Sequence, residues 1–196
     1  MIKKISEIIV DILIQNGHTQ YNRGVYVYGM ECIISELIAD LILFLYTIPQ
    51  HNTIDAIIWL TAFLSIRIHI GGYHASNHTL CLLISTIISI LGLKFSTILY
   101  NNLYLFIICH IFTTFYVLFS SPINSANHTL SYKKSKRERS KLLTNVIILN
   151  ILIIISKNKN FSSLLLSGCF TATLMSVYSK LKLLLKKTNR VGGDFD

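Results

Sequence analysis

The chain has 196 residues, of which 18 are basic and nine acidic, for a formal net charge of +9. Hydrophobic residues make up 52% and charged residues 14%, with a mean hydropathy of +0.56. A water-soluble domain of this size cannot bury that much apolar surface. No Phe/Tyr/Arg-rich binding segment accompanies the basic residues, which excludes nucleic acid as a partner.

The first element is predicted at residues 2–14, within an interfacial segment at 1–16. Ile2, Ile5, Ile8, Ile9, Ile12 and Leu13 share one helical face there, as in an amphipathic helix lying on a bilayer surface. Lys3, Lys4, Glu7 and Asp11 interrupt the apolar run and no small-residue cleavage site follows, so the segment is not read as a signal peptide. A polar break at 15–24, with Gly17 and Gly24, separates it from what comes next.

Six long apolar runs then predict membrane-spanning helices at roughly 25–48, 54–70, 79–99, 103–121, 142–156 and 162–185. Pro49 ends the first, and Pro122 lies just beyond the fourth. The connections are short except for 122–141, read as a basic loop. The expected fold class is therefore all-α: a single polytopic membrane domain, 1–196, with about six spans and an N-terminal amphipathic helix.

Most of the 18 basic residues fall on one side if the N-terminus is cytoplasmic. The C-terminus and the connection at 67–81 then face the cytoplasm too. Four cysteines occur, at 32, 81, 109 and 169, with no C-x-x-C pair. A disulfide framework is not expected.

Residues 67–81, RIHIGGYHASNHTLC, are the least membrane-like stretch in the first half of the chain. They are read as an active-site loop and helix start. Cys81 would open a long apolar helix, with Ser76, Asn77 or Thr79 as candidate caps. Unpaired N–H groups and the positive dipole end of a helix favour a thiolate. Gly71 and Gly72 permit a tight backbone that folds His74 back toward the sulfur. A thiol, a base and oxyanion donors are what a cysteine peptidase needs. The same segment supplies His69, His74, His78 and Cys81 as a zinc set, but no carboxylate lies between the histidines to act as base. No metal and no cofactor are expected.

The pattern Arg67, Gly72, His74, Ala75, Cys81 resembles the signature of the accessory gene regulator B (AgrB) family of Gram-positive bacteria. Chain length, Gly29–Met30 in the first span, SSPIN after the fourth and the basic segment that follows are similar as well. Residues 127–130, NHTL, depart from the pattern, since relatives often carry a lysine and a proline there. The resemblance implies a bacterial cell-membrane cysteine endopeptidase that processes an AgrD-like precursor into a cyclic autoinducing peptide for quorum sensing. It implies His74 as general base and Cys81 as nucleophile, with the lipid bilayer, the precursor and a homodimer partner as associations. Beside this dyad, Glu31 is a candidate for orienting the imidazole. Arg67, Lys133 and Lys134 are candidates for substrate contact, against the plainer roles of interfacial anchor and lipid contact. Two rival readings are a non-enzymatic membrane scaffold or transporter subunit, and a zinc-dependent membrane protease.

Overall fold

The computed structural model describes residues 2–17, 23–70, 78–119 and 132–191. Among these there are seven α-helices and no strand: α1 (Ile2–Gln15), α2 (Arg23–Thr47), α3 (Thr53–Ile70), α4 (His78–Asn101), α5 (Leu103–Phe119), α6 (Tyr132–Ile155) and α7 (Lys159–Val191). Each predicted span coincides with a helix. Four have the length and apolarity to cross a bilayer: Arg23–Gln50, Thr53–Ile70, Leu82–Asn101 and Lys159–Leu185. Helix α5 is equally apolar but 17 residues long. The protein is thus an all-helical membrane protein, as its composition required.

Helix α6 differs from expectation. The basic run at its start is the first part of a 24-residue helix rather than loop. Lys, Arg and Glu are good helix formers, so the helix extends past the apolar stretch.

The helix ends have local causes. A 3-10 turn carrying Pro49 follows α2, and His51 closes it at φ 56°, in the left-handed region. The Asn102 side chain accepts the Leu105 N–H at 3.1 Å and caps α5. Asn158 does the same for α7, accepting from Asn160 at 3.0 Å and Phe161 at 3.3 Å.

The chain divides into two compact units, residues 1–52 with 74–90, and residues 53–73 with 91–196. In the first, α1 packs on α2 and buries Ser6 and Val10. Arg23 donates to both carboxylate oxygens of Asp11, at 2.7 and 2.9 Å, across the polar break. The isoleucines of α1 are not the packed side: Ile5, Ile8 and Ile12 remain exposed. That leaves an apolar face open, as an interfacial helix requires. On α2, Val27, Glu31, Ser35, Ala39, Leu43 and Thr47 form a buried stripe at every fourth residue. Ile33, Leu37, Leu41 and Leu45 form an exposed stripe offset by two positions. An offset of two is about 200° around the helix, so the stripes lie on opposite faces: the exposed one is wholly aliphatic, and the buried one is mixed, with Glu31, Ser35 and Thr47 among its six residues.

In the second unit α7 is the central element, packed by α3, α5 and α6. Its buried side is rich in small residues: Ser162, Ser163, Ser167, Cys169, Ala172, Thr173 and Ser176. Lipid tails are as apolar as leucine, so helices in a bilayer gain mainly from close backbone approach and interhelical hydrogen bonds. Trp59 of α3 is fully buried here, stacked on Phe63 with ring centroids 5.0 Å apart. Ser167 donates to the carbonyl of Gly92, tying α7 to the C-terminal half of α4. Tyr116 and Ser176 hydrogen-bond at 3.0 Å between α5 and α7.

Candidate active site

Helix α4 begins at His78, which places Cys81 in its first turn. The backbone N–H groups there have no partner within the helix and carry the positive end of its dipole. There is no acidic residue in that turn to oppose a thiolate. Thr79 falls inside the helix rather than at its cap, and Ser76 and Asn77 lie outside the described residues. So do His74, Gly71 and Gly72, and the Cys81 side chain as well.

Glu31 stands in the buried stripe of α2, at 5% exposure. Arg67 stands in the last turn of α3 and is also buried, at 7%. Its guanidinium lies 5.6 Å from the centroid of the Phe63 ring, and it donates to the Met175 sulfur at 3.5 Å. Arg67 is therefore packed within the second unit. Lys133 and Lys134 are in the first turn of α6, with side chains outside what is described.

The structure adds a pair that sequence patterning missed. His69, in the last turn of α3, has its Nδ1 2.7 Å from Oε2 of Glu138 on α6. Oε1 of Glu138 accepts from Lys141 at 3.3 Å. The hydrogen bond from His69, and then Lys141, hold the Glu138 carboxyl below the usual carboxylate range. Further along the same seam Asn145 donates to the Ser65 carbonyl at 2.9 Å. His69 is one of the four candidate zinc ligands, and it is occupied by Glu138. The available signal was Glu138 itself, the one acid within the basic run KKSKRERSK.

A cavity of about 10 Å³ lies in the second unit, lined by Ile66, His110, Thr113, Asn150, Leu166 and Cys169 among others. That is room for roughly one water molecule and not for a peptide. Cys109 and Cys169 are buried free thiols, and Cys32 is half-buried.

Residues 5–178 match the model of the family described as Accessory gene regulator B. Two relatives from Clostridium perfringens, strains SM101 and 13 of Type A, carry AgrB-like names. Each is 23% identical over 167 residues, covering 79% of this chain and 78% of the relative. No solved structure matches the chain. Its helical, apolar architecture and a family match over nearly its whole length agree: the chain belongs to the accessory gene regulator B family, and so to the membrane machinery of the agr quorum-sensing system.

Proposed function

We propose that this protein is a membrane-embedded cysteine endopeptidase that cleaves the C-terminal part from an AgrD-like precursor and promotes its cyclisation. The observation that carries the reading is the place of Cys81 in the first turn of a long apolar helix, in a chain of this family.

The chemistry starts with proton transfer from the Cys81 thiol to His74. The thiolate attacks the carbonyl at the cleavage point, and N–H groups at the start of α4 are suited to receive the oxyanion. The C–N bond breaks as His74 returns the proton to the leaving amine. The tail departs and the peptide remains as a thioester on Cys81. An internal Cys or Ser of the peptide then attacks that thioester, closes a thiolactone or lactone, and releases the Cys81 thiolate. The thioester keeps the carbonyl activated, so ring closure needs no ATP. Water exclusion favours cyclisation over hydrolysis.

In this reading both termini and the segment carrying His74 face the cytoplasm, which the concentration of basic residues on that side supports. The precursor's amphipathic leader lies on the inner leaflet. Glu31 orients the His74 imidazole, a role suited to a buried acid near the end of a span. Glu31→Gln should slow processing; an unchanged rate removes that assignment and leaves the dyad intact.

The deciding experiment uses the full chain in liposomes with a precursor peptide. Cleavage should stop with Cys81→Ala or a thiol alkylator and persist with a chelator. Mass spectrometry should find an acyl adduct on Cys81. Loss of cleavage to a chelator alone points to a zinc protease. Cleavage undiminished in both Cys81→Ala and His74→Ala refutes the dyad.

A further inference from the structure

Several hydroxyls buried among these helices settle their own hydrogen bonds. Thr171 and Thr173 of α7 donate to carbonyls four and three residues back, each at 2.7 Å. Ser96 of α4 donates three residues back at the same distance. Such a bond needs no neighbouring helix. Thr113 of α5 breaks the pattern. It is 5% exposed, and its Oγ1 has no hydrogen-bond partner among the described residues. His110 lies three residues earlier, on the same face of α5. Its Nε2 is likewise buried and unpartnered among the described residues.

Both residues line one cavity, the space of about 10 Å³ within the second unit. A water molecule needs about that much room and two to four polar partners. The wall supplies them. The Thr113 hydroxyl can donate and accept, and Nε2 of His110 does one or the other according to tautomer. Thr114 donates to Oδ1 of Asn150 at 3.0 Å, and Asn150 donates to the Val146 carbonyl at 2.8 Å. Both Thr114 and Asn150 also line the cavity, and each oxygen keeps a lone pair to offer.

The chemistry of the wall selects the guest. No carboxylate lines the cavity, so a hard cation would meet no counter-charge. Among the described residues no three His, Cys, Asp or Glu side chains gather to hold a metal ion. An apolar guest would leave the two polar atoms unpaired. A neutral hydrogen-bonding molecule the size of water suits both the space and its lining.

We infer that this cavity is a buried hydration site, in which one water bridges His110 Nε2 and Thr113 Oγ1 of α5 to the Thr114–Asn150 pair and so ties α5 to α6. The water adds to the direct ties of α5, from Thr114 to Asn150 and from Tyr116 to Ser176. Polar ties of this kind hold helices together where lipid removes the hydrophobic drive between them. The inference is independent of the peptidase reading, which uses none of these residues.

Two cysteines make an internal control. Cys109 and Cys169 are equally buried, at 4% exposure each, but Cys169 lines the cavity and Cys109 does not. X-ray radiolysis splits water where it lies, and the hydroxyl radicals oxidise thiols beside it. The full chain in liposomes is irradiated and its cysteines are mapped by mass spectrometry. Sulfinic and sulfonic acid at Cys169 should exceed that at Cys109 several-fold. Equal oxidation of the two thiols overturns the hydration site.

Thr113→Val keeps the shape of the side chain and removes its hydroxyl. Its melting midpoint should fall by about 2–4 °C, the shift that one net hydrogen bond makes in a chain of this length. Oxidation of Cys169 should fall toward the Cys109 level. His110→Phe keeps a ring to stack on Phe106 and should behave alike. The double variant should lose less than the sum of the two, because both residues hold one water. In a dry cavity the Thr113 hydroxyl is an orphan, and valine removes its penalty. An unchanged or raised midpoint in Thr113→Val therefore overturns the proposal. Should the variants not fold, the comparison of Cys169 with Cys109 in the unaltered chain decides alone.

Discussion

Gly168 of α7 stands directly against the backbone of Trp59 on α3. A Cβ at Gly168 would lie 2.6 Å from the Trp59 carbonyl oxygen and 3.0 Å from the Phe63 amide nitrogen. Backbone atoms cannot rotate aside, so the helices themselves would have to separate. Gly168→Leu should therefore destabilise the second unit by about 1–3 kcal/mol, the range for overpacking a close contact. Gly168→Ala should be milder but still destabilising. Thermal unfolding in detergent checks the order; a Leu variant as stable as the parent contradicts this packing.

Trp59 also meets Gly92. A Cβ on Gly92 would lie 2.5 Å from the indole ring, so that glycine is the floor on which Trp59 rests. Trp59→Ala should cost roughly 3–5 kcal/mol, as for other large aromatics removed from a packed interior. Trp59→Phe should cost clearly less. It keeps most of the ring and removes a buried indole N–H that has no hydrogen-bond partner among the described residues. The comparison is made by thermal or denaturant unfolding of the two variants side by side.

The cysteines should separate by chemistry. Cys109 and Cys169 are each 4% exposed, and buried thiols among apolar groups are inert. In the folded protein a polar maleimide should label neither. Alanine at 32, 109 or 169 should leave precursor cleavage within about twofold, as for substitutions away from reacting atoms. Only Cys81→Ala should abolish it. Peptide mapping after brief labelling, with cleavage assays on the four variants, checks both expectations.

Asp11 and Arg23 give a prediction in pH. The hydrogen bond from Arg23, aided by its charge, holds the Asp11 carboxyl below its ordinary 3.8. A depressed carboxylate contributes stability above its unfolded pKa and loses it as pH falls through the folded value. The pair is exposed, so the effect is small and screened by salt. Asp11→Asn should thus unfold at slightly lower temperature than wild type near neutral pH. The gap should close below the depressed pKa of Asp11, and narrow at high salt. A gap that widens in acid contradicts the assignment.

Much of this fold was legible in the chain itself. Runs of apolar residues near 18 or longer, and the breaks at Gly17 and Pro49, set where helices begin and end, because backbone hydrogen bonding is local. The family pattern around His74 and Cys81 was legible for the same reason: it is a spacing along one segment. Helix α6 was read too short because hydropathy marks where lipid is, and a helix of Lys, Arg and Glu continues into water.

What patterning could not supply was partnership. On α2 the exposed stripe through Leu37 is wholly aliphatic, while the buried stripe through Glu31 also holds Ser35 and Thr47, so hydrophobicity does not mark the buried face. In water the aliphatic face would be the buried one; in lipid it need not be, since hydrocarbon is no poorer a neighbour for leucine than protein is. Inside and outside are then decided by which backbones approach closely and which polar groups find each other. Gly168 on Trp59, Ser167 on Gly92 and His69 on Glu138 are all of that kind, and each joins residues at least 69 positions apart. The residues alone determined that this chain is helical, enters a membrane and carries a histidine and a cysteine seven positions apart. Only the tertiary packing decided that the end of α3 is held by an acid from α6, because that contact depends on how helices meet.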